Sequence, residues 1–216
     1  MGLTDDLANW NFELKCRQAV KALNENGFTA VYCGTRQEAY DYIISEAGEA
    51  KTIGFGGSLS VADLNVAEAL SETGKELLIH GVPGLSLEDK LSIMRRQLTS
   101  DLFLTGTNAL TLTGSLVNID ATGNRVASMI FGPKKVIVVA GRNKLADNTE
   151  EALRRIKAYA SPPNTKRLNL STPCAKTGFC TDCDTPDRIC RITTILEKKP
   201  RLTDVHVLVV NEYLGL

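Results

Sequence analysis

The sequence predicts an α/β protein built on a mainly parallel open sheet with helices on both faces. Three observations predict it. Short apolar runs rich in β-branched residues alternate with stretches whose apolar residues recur at helical spacing, the order expected of βαβ units. One run, Val136-Ile-Val-Val-Ala140, is apolar at every position, as a strand buried on both faces requires. Glycine-rich or polar segments follow several of the expected strands directly, where a parallel sheet opens its ligand-binding edge.

Taken in order, apolar residues at helical spacing (Leu14, Ala19, Val20 and Leu23) predict a helix over 12–23, stopped by Gly27. A short strand over 28–33 follows. Thr35 then caps a helix running to about Ala47. Strand 51–55 leads into Gly56-Gly57-Ser58, and 60–70 reads as helix. Strand 76–80 precedes a helix over 86–98 with Ser86 as its cap. Strands are expected over 101–105 and 115–120, a short helix over 126–131 closed by Gly132-Pro133, and the buried strand over 135–140. Leu153, Ile156 and Ala160 place a helix over 149–160, with Pro162-Pro163 as its end. A last strand covers 205–210. No repeat or linker divides the chain, so 1–216 reads as one domain, interrupted by a cysteine-rich insertion at 171–192 before the last strand.

Composition narrows the functions. At 216 residues and 43% hydrophobic content, the chain suits one large core. Lys+Arg and Asp+Glu stand at 25 each, so no net field favours nucleic acid or an anionic membrane. The first ten residues are polar and lack the apolar stretch of a signal peptide, and no apolar run is long enough to span a bilayer. The expected location is cytoplasmic.

Four segments should converge on the carboxyl edge of the sheet: 54–58, 80–84, 106–108 and 141–144. Gly56, Gly57 and Ser58 have the properties of an anion cradle, with close-approaching N–H groups and a hydroxyl at a helix start. Equally, they can form a plain strand-to-helix turn with a serine cap. Asn108, Asp120, Asn124, Arg125 and Lys144 supply the remaining ligand-binding candidates. Arg125 could grip a carboxylate through its fork, or Arg125 and Lys144 could pair with Asp120 and Asp147. Thr113-Gly114 can also be read as a hairpin turn. His80 ends a strand beside the same edge, although a hydrogen-bonded structural histidine is the commoner occupant of such a place.

Asp101-Leu-Phe-Leu-Thr-Gly-Thr-Asn-Ala-Leu-Thr111, Gly114 to Asp120, Gly123-Asn-Arg-Val-Ala127 and Gly132 to Gly141 together resemble the lactate-utilisation (LUD) domain family. Gly54–Ser58 and Asn143-Lys144 fall where that pattern would have them. The resemblance implies a fold like that of ribose-5-phosphate isomerase and the coenzyme A transferases. It also implies a part in oxidising L-lactate to pyruvate within an iron–sulfur-containing system. Isomerases of that fold use a lysine at the position of Lys144. Their paired aspartates appear here as Asn108 and Thr111, which argues against isomerase chemistry.

Cys174, Cys180, Cys183 and Cys190 are spaced C-x5-C-x2-C-x6-C, and in a reducing compartment such a cluster points to metal. Structural zinc usually shows two C-x2-C knuckles, and here there is one, so an iron–sulfur cluster is the expected cofactor, with zinc the alternative. Cys16 and Cys33 stand apart as core residues. The expected function is a redox or accessory protein of small organic-acid utilisation, with a small anionic ligand, redox partner proteins and room for a homo-oligomer. The alternatives are a zinc-stapled sensor or scaffold and a transferase or isomerase acting on an acyl or phosphate substrate.

Overall fold

The protein is described from a computed structural model covering residues 2–216. Six strands form an all-parallel sheet: β1 (Thr29–Cys33), β2 (Thr52–Phe55), β3 (Glu76–Ile79), β4 (Leu102–Gly106), β7 (Lys135–Gly141) and β10 (Asp204–Val210). Their order is β1-β10-β7-β4-β2-β3, and the alternation read from the sequence is realised as parallel pairing throughout this sheet.

The centre of the sheet shows why Val and Ile dominate there. Side chains alternate across a strand, so β7 sends Ile137 and Val139 into one core while Val136, Val138 and Ala140 enter the other. β10 divides in the same way: Leu208 and Val210 face one side, and Val205, Val207 and Val209 the other. Each fully buried Val or Ile contributes about 1.5–3 kcal/mol relative to exposure. The first face is covered by α2 (Arg36–Glu46), α3 (Leu59–Ala62) and α4 (Val66–Ser71) through Ala39, Ile43, Val61 and Leu70.

The second face departs from the expectation of helices alone. It is covered by α1 (Leu3–Glu25), α6 (Asn124–Ile130) and a second, smaller sheet. That sheet has the order β8-β5-β6-β9, with β5 (Ala109–Thr111), β6 (Leu116–Asp120), β8 (Leu145–Ala146) and β9 (Ile192–Leu196). Leu110 and Leu116 of the β5–β6 hairpin are fully buried against β7 and β10. The segment expected as a strand over 115–120 therefore belongs to this sheet and not to the main one.

The hairpin turn is fitted to the carboxyl end of α1. Gly114 takes a φ of +80°, and a Cβ there would stand 2.6 Å from the Ala22 carbonyl carbon. Asn26 Nδ2 donates to the Thr113 carbonyl at 2.9 Å and the Gly114 carbonyl at 3.1 Å. Gly114→Ala is therefore expected to cost more than about 2 kcal/mol, because neither the dihedral nor the space admits a methyl. Urea unfolding of the variant checks this.

Three elements run differently from the sequence reading. α1 begins at Leu3, well before residue 12. The 60–70 helix is broken into α3 and α4, with Asn65 in the left-handed region. Pro162-Pro163 does not end the helical rod: α7 (Thr149–Arg155) passes through a π turn (Ile156–Ala160) into α8 (Ser161–Arg167). The prolines occupy the first turn of α8, where a helix needs no N–H from them, and the wider π turn takes up the change in bonding. α5 (Leu87–Gln97) starts at its expected Ser86 cap, whose hydroxyl accepts from Asp89 N at 3.1 Å. Among the described residues, no helix is long and apolar enough to cross a membrane.

Candidate functional site

The strand order places a crevice between β2 and β4. The chain leaves β2 toward β3 on one side and leaves β4 toward β7 on the other. Neighbouring parallel strands whose connections diverge create the gap in which open α/β sheets take ligands. The loops after these two strands meet there in very close approach. Gly56 N donates to the Leu104 carbonyl at 2.9 Å. A Cβ on Gly106 would lie 2.5 Å from Ser58 Oγ, and one on Gly56 would lie 2.7 Å from Thr105 Oγ1. Glycine at both positions is what lets the two loops share one wall.

Above this crevice lies a cavity of about 550 Å³. All eight residues singled out in the sequence line it: Gly56, Gly57, Ser58, Asn108, Asp120, Asn124, Arg125 and Lys144. Residues that the sequence reading did not assign to this cavity line it too: Lys90 on α5 and Arg167 on α8, which it left without a role, and Cys190, which it read as a metal ligand. Lys90 and Arg167 sit on helices with no local motif, and Arg167 lies beyond the prolines expected to stop its helix. Among the described residues, four cationic side chains line the cavity against one carboxylate, that of Asp120.

That carboxylate is already committed. The Arg125 guanidinium grips Asp120 Oδ1 through both Nε and Nη2, with Nε at 2.9 Å. Its remaining N–H groups reach Asn118 Oδ1 and Asn108 Oδ1, each at 2.8 Å, and the Gly106 carbonyl at 3.2 Å. The asparagines brace the same corner, with Asn108 N donating to Asn118 Oδ1 at 3.0 Å and Ile119 N to Asn108 Oδ1 at 2.9 Å. Arg125 thus has no free fork for a ligand carboxylate. Of the two readings of this residue, the geometry selects pairing with Asp120, and its role is to hold the β4–β5 loop against β6 and α6.

Lys144 is different. It follows β7 in a 3₁₀ turn (Arg142–Lys144) and is 5% exposed. Its Nζ donates to the Thr107 carbonyl at 2.9 Å, one acceptor for an ammonium with three donors, and it makes no pair with Asp147. Burial, reinforced by the nearby positive charges of Arg155 and Arg125, pushes its pKa down to about 7. Arg155 is itself tied to the backbone, through Nε to the Asn143 carbonyl at 2.7 Å and Nη1 to the Asn108 carbonyl at 2.8 Å.

His80, just after β3, lines the same cavity. Gln97 is fully buried, and its Nε2 lies 2.8 Å from the Phe55 and Leu78 carbonyls and 3.0 Å from His80 Nδ1. An amide nitrogen cannot accept, so His80 Nδ1 must, and the ring proton of the neutral form sits on Nε2, the atom facing Gly57. Burial lowers the His80 pKa and favours that neutral donor.

The cysteine segment forms the remaining wall. After α9 (Pro173–Thr177), residues 178–191 carry no regular element and are tied by arginines. Arg188 donates to the carbonyls of Cys183 and Cys190, the latter at 2.7 Å, and to Asp182 Oδ1 at 2.8 Å. Arg191 donates to the Arg188 carbonyl at 2.9 Å and the Pro186 carbonyl at 3.0 Å. Cys174 is buried with its Sγ 3.3 Å from both Thr165 Oγ1 and Thr172 Oγ1, while Cys190 Sγ lies 3.3 Å from Ser161 Oγ. Ser161 and Thr165 are one helical turn apart on α8, so Cys174 and Cys190 meet the same face of that helix.

Cys180 is exposed, Cys183 is half-buried, and all four are free thiols. Burial raises the Cys190 pKa, and the charges of Cys180 and Cys174 act on it in the same direction. The donors are chemically right for iron–sulfur or zinc, but as placed the sulfurs close no coordination shell. Among the described residues, no group of three or more Cys, His, Asp or Glu is arranged to hold a metal ion. Cys16 and Cys33 lie deep in the core, where burial pushes their thiols up to about 11 and about 12.

Fold and cavity together define an α/β protein with a polar, cation-rich pocket at the carboxyl edge of a parallel sheet. The chain belongs to the LUD domain family, whose profile matches residues 16–210. A DUF162 family protein from Deinococcus radiodurans, known from a crystal structure, is similar in fold: 14% identity, TM-score 0.51, covering 92% of this chain and 98% of that one. A search of curated protein sequences finds no match.

Proposed function

We propose that this protein acts in the utilisation of L-lactate or a related small organic acid. In this reading it binds a small carboxylate in the cavity above the β2–β4 crevice and carries an iron–sulfur cluster on Cys174, Cys180, Cys183 and Cys190. One observation carries the reading: Cys190 and Lys144 line the same cavity. A redox-active group held by the cysteine segment would then stand beside the bound acid. The group would supply one-electron transfer to a redox partner protein, and the LUD membership supports the substrate class.

This chain's own residues bind and orient. Lys144 gives the carboxylate its counter-charge, His80 Nε2–H and the Ser58 hydroxyl are further donors lining the same cavity, and Gly56-Gly57 let the ligand approach the backbone. Arg125, Asn108 and Asn118 brace the β4–β5 loop against β6. Among the described residues, the one side-chain carboxylate lining the cavity, Asp120, is bound by Arg125, which leaves the isomerase and transferase readings without a free carboxylate as base or nucleophile.

Anaerobic purification with iron, sulfide and zinc analysis tests the cluster. Iron with acid-labile sulfide is expected in the parent and in Cys16→Ser, and neither in Cys183→Ser. Stoichiometric zinc in its place would turn the segment into a structural staple. Unchanged metal in Cys183→Ser would end the four-cysteine assignment.

A further inference from the structure

The first half of α1 carries a row of large apolar residues that stays exposed among the described residues. Leu3, Leu7, Trp10 and Leu14 are 76%, 57%, 59% and 48% exposed. Their spacing of four, three and four is a heptad seam two repeats long. At about 100° per residue, this row lies on the side of α1 opposite Cys16, Ala19 and Leu23, which are fully buried against the body of the protein. The helix is therefore apolar on two opposite faces, and only one of them is used. Exposed apolar residues scattered singly need no explanation, but a continuous row of four does.

We propose that this outward face is the seam through which two copies of the chain pair, with their α1 helices antiparallel. The heptad spacing selects a helix as the occupant, because a straight row repeating at 3.5 residues matches another such row. The charges select an antiparallel second copy. The next two seam positions are Arg17 and Lys21. A parallel pair would set each against its own copy, like charge on like charge. The antiparallel pair sets Leu3 against Leu14 and Leu7 against Trp10 of the other copy. It also carries Arg17 and Lys21 beyond the other copy's Leu3, so that neither basic residue faces its own counterpart. A seam this short buries less than the roughly 800 Å² per partner of a standard interface, so the dimer forms and dissociates with concentration.

Trp10 is the sole tryptophan and reports on the seam directly. Sedimentation velocity over a micromolar concentration series should show monomer passing to dimer, with the tryptophan emission moving to shorter wavelength in step. Leu7→Glu should be monomeric with unshifted emission at every concentration and should melt as the parent does, since residue 7 is exposed. Leu3→Glu or Leu14→Lys alone should weaken pairing, and the two together should restore it, because only the antiparallel register brings positions 3 and 14 into contact. A parent that stays monomeric across the series, or a dimer indifferent to Leu7→Glu, overturns the proposal. An emission shift seen only with phosphatidylglycerol vesicles, the protein remaining monomeric, would overturn it in favour of a membrane-facing helix.

Discussion

Replacing Lys144 with Met is expected to do two opposite things: weaken binding of lactate, pyruvate or phosphate by at least about tenfold, and raise the melting temperature near neutral pH. The first effect follows from losing the charge-assisted bond to the anion, typically about 1.5–3 kcal/mol. The second follows from the same burial. An ordinary lysine titrates near 10.5, whereas in the folded protein burial lowers Lys144 to about 7. Below pH 7 both folded and unfolded chains carry the charge, and the folded state bears the full desolvation cost. Between about 7 and 10.5 the folded chain releases its proton while the unfolded chain keeps it, so stability rises with pH in this window. Methionine fills a similar volume without that cost. The gain in melting temperature should therefore be largest at or below pH 7 and shrink as the pH approaches 10. A bound anion returns the proton to Lys144, so parent binding at pH 8 should take up a proton. Calorimetry in two buffers of different ionisation heat measures the uptake, and Lys144→Met should show none. A variant that binds these anions as the parent does would overturn the anion site.

Arg125→Ala carries the largest expected loss of stability. The Arg125 and Asp120 side chains are 13% and 7% exposed. Removing one partner of such a pair strands the other charge, at a cost of about 3–5 kcal/mol. Asn108 and Asn118 lose their guanidinium donor in the same step. Against a total stability of about 5–15 kcal/mol for a domain, this change alone should move the urea midpoint far down. Asp120→Ala should be similarly severe, and the double variant should cost clearly less than the two single losses added, because no uncompensated charge remains. Additive losses would show that the pair is not coupled. An Arg125→Ala protein within about 1 kcal/mol of the parent would remove Arg125 from its bracing role.

The division between the two sources of information follows the range of the interactions involved. Local periodicity by itself determined the main strands, since a run such as Val136–Ala140 is apolar at every position only if both faces are buried. It also determined the capped helices at Thr35 and Ser86, whose signal lies within four residues. The glycines and polar residues after those strands marked the cavity edge, because the direction of a parallel sheet sends every such loop to the same side. Tertiary structure alone decided the second sheet. β8 has two residues and β5 three, and β9 is a Thr-rich strand with mostly exposed side chains, so each is specified by partners far along the chain and not by its own pattern. It also decided that Arg125 serves Asp120 while Lys144 faces the cavity nearly alone, a choice between acceptors that no spacing encodes. The cysteine spacing was legible, but the place of Cys190 in the lining of Lys144's cavity was not. That neighbourhood depends on α8 continuing through Pro162-Pro163 to carry Ser161 and Arg167 across the pocket, and on packing that the prolines' local signal opposed.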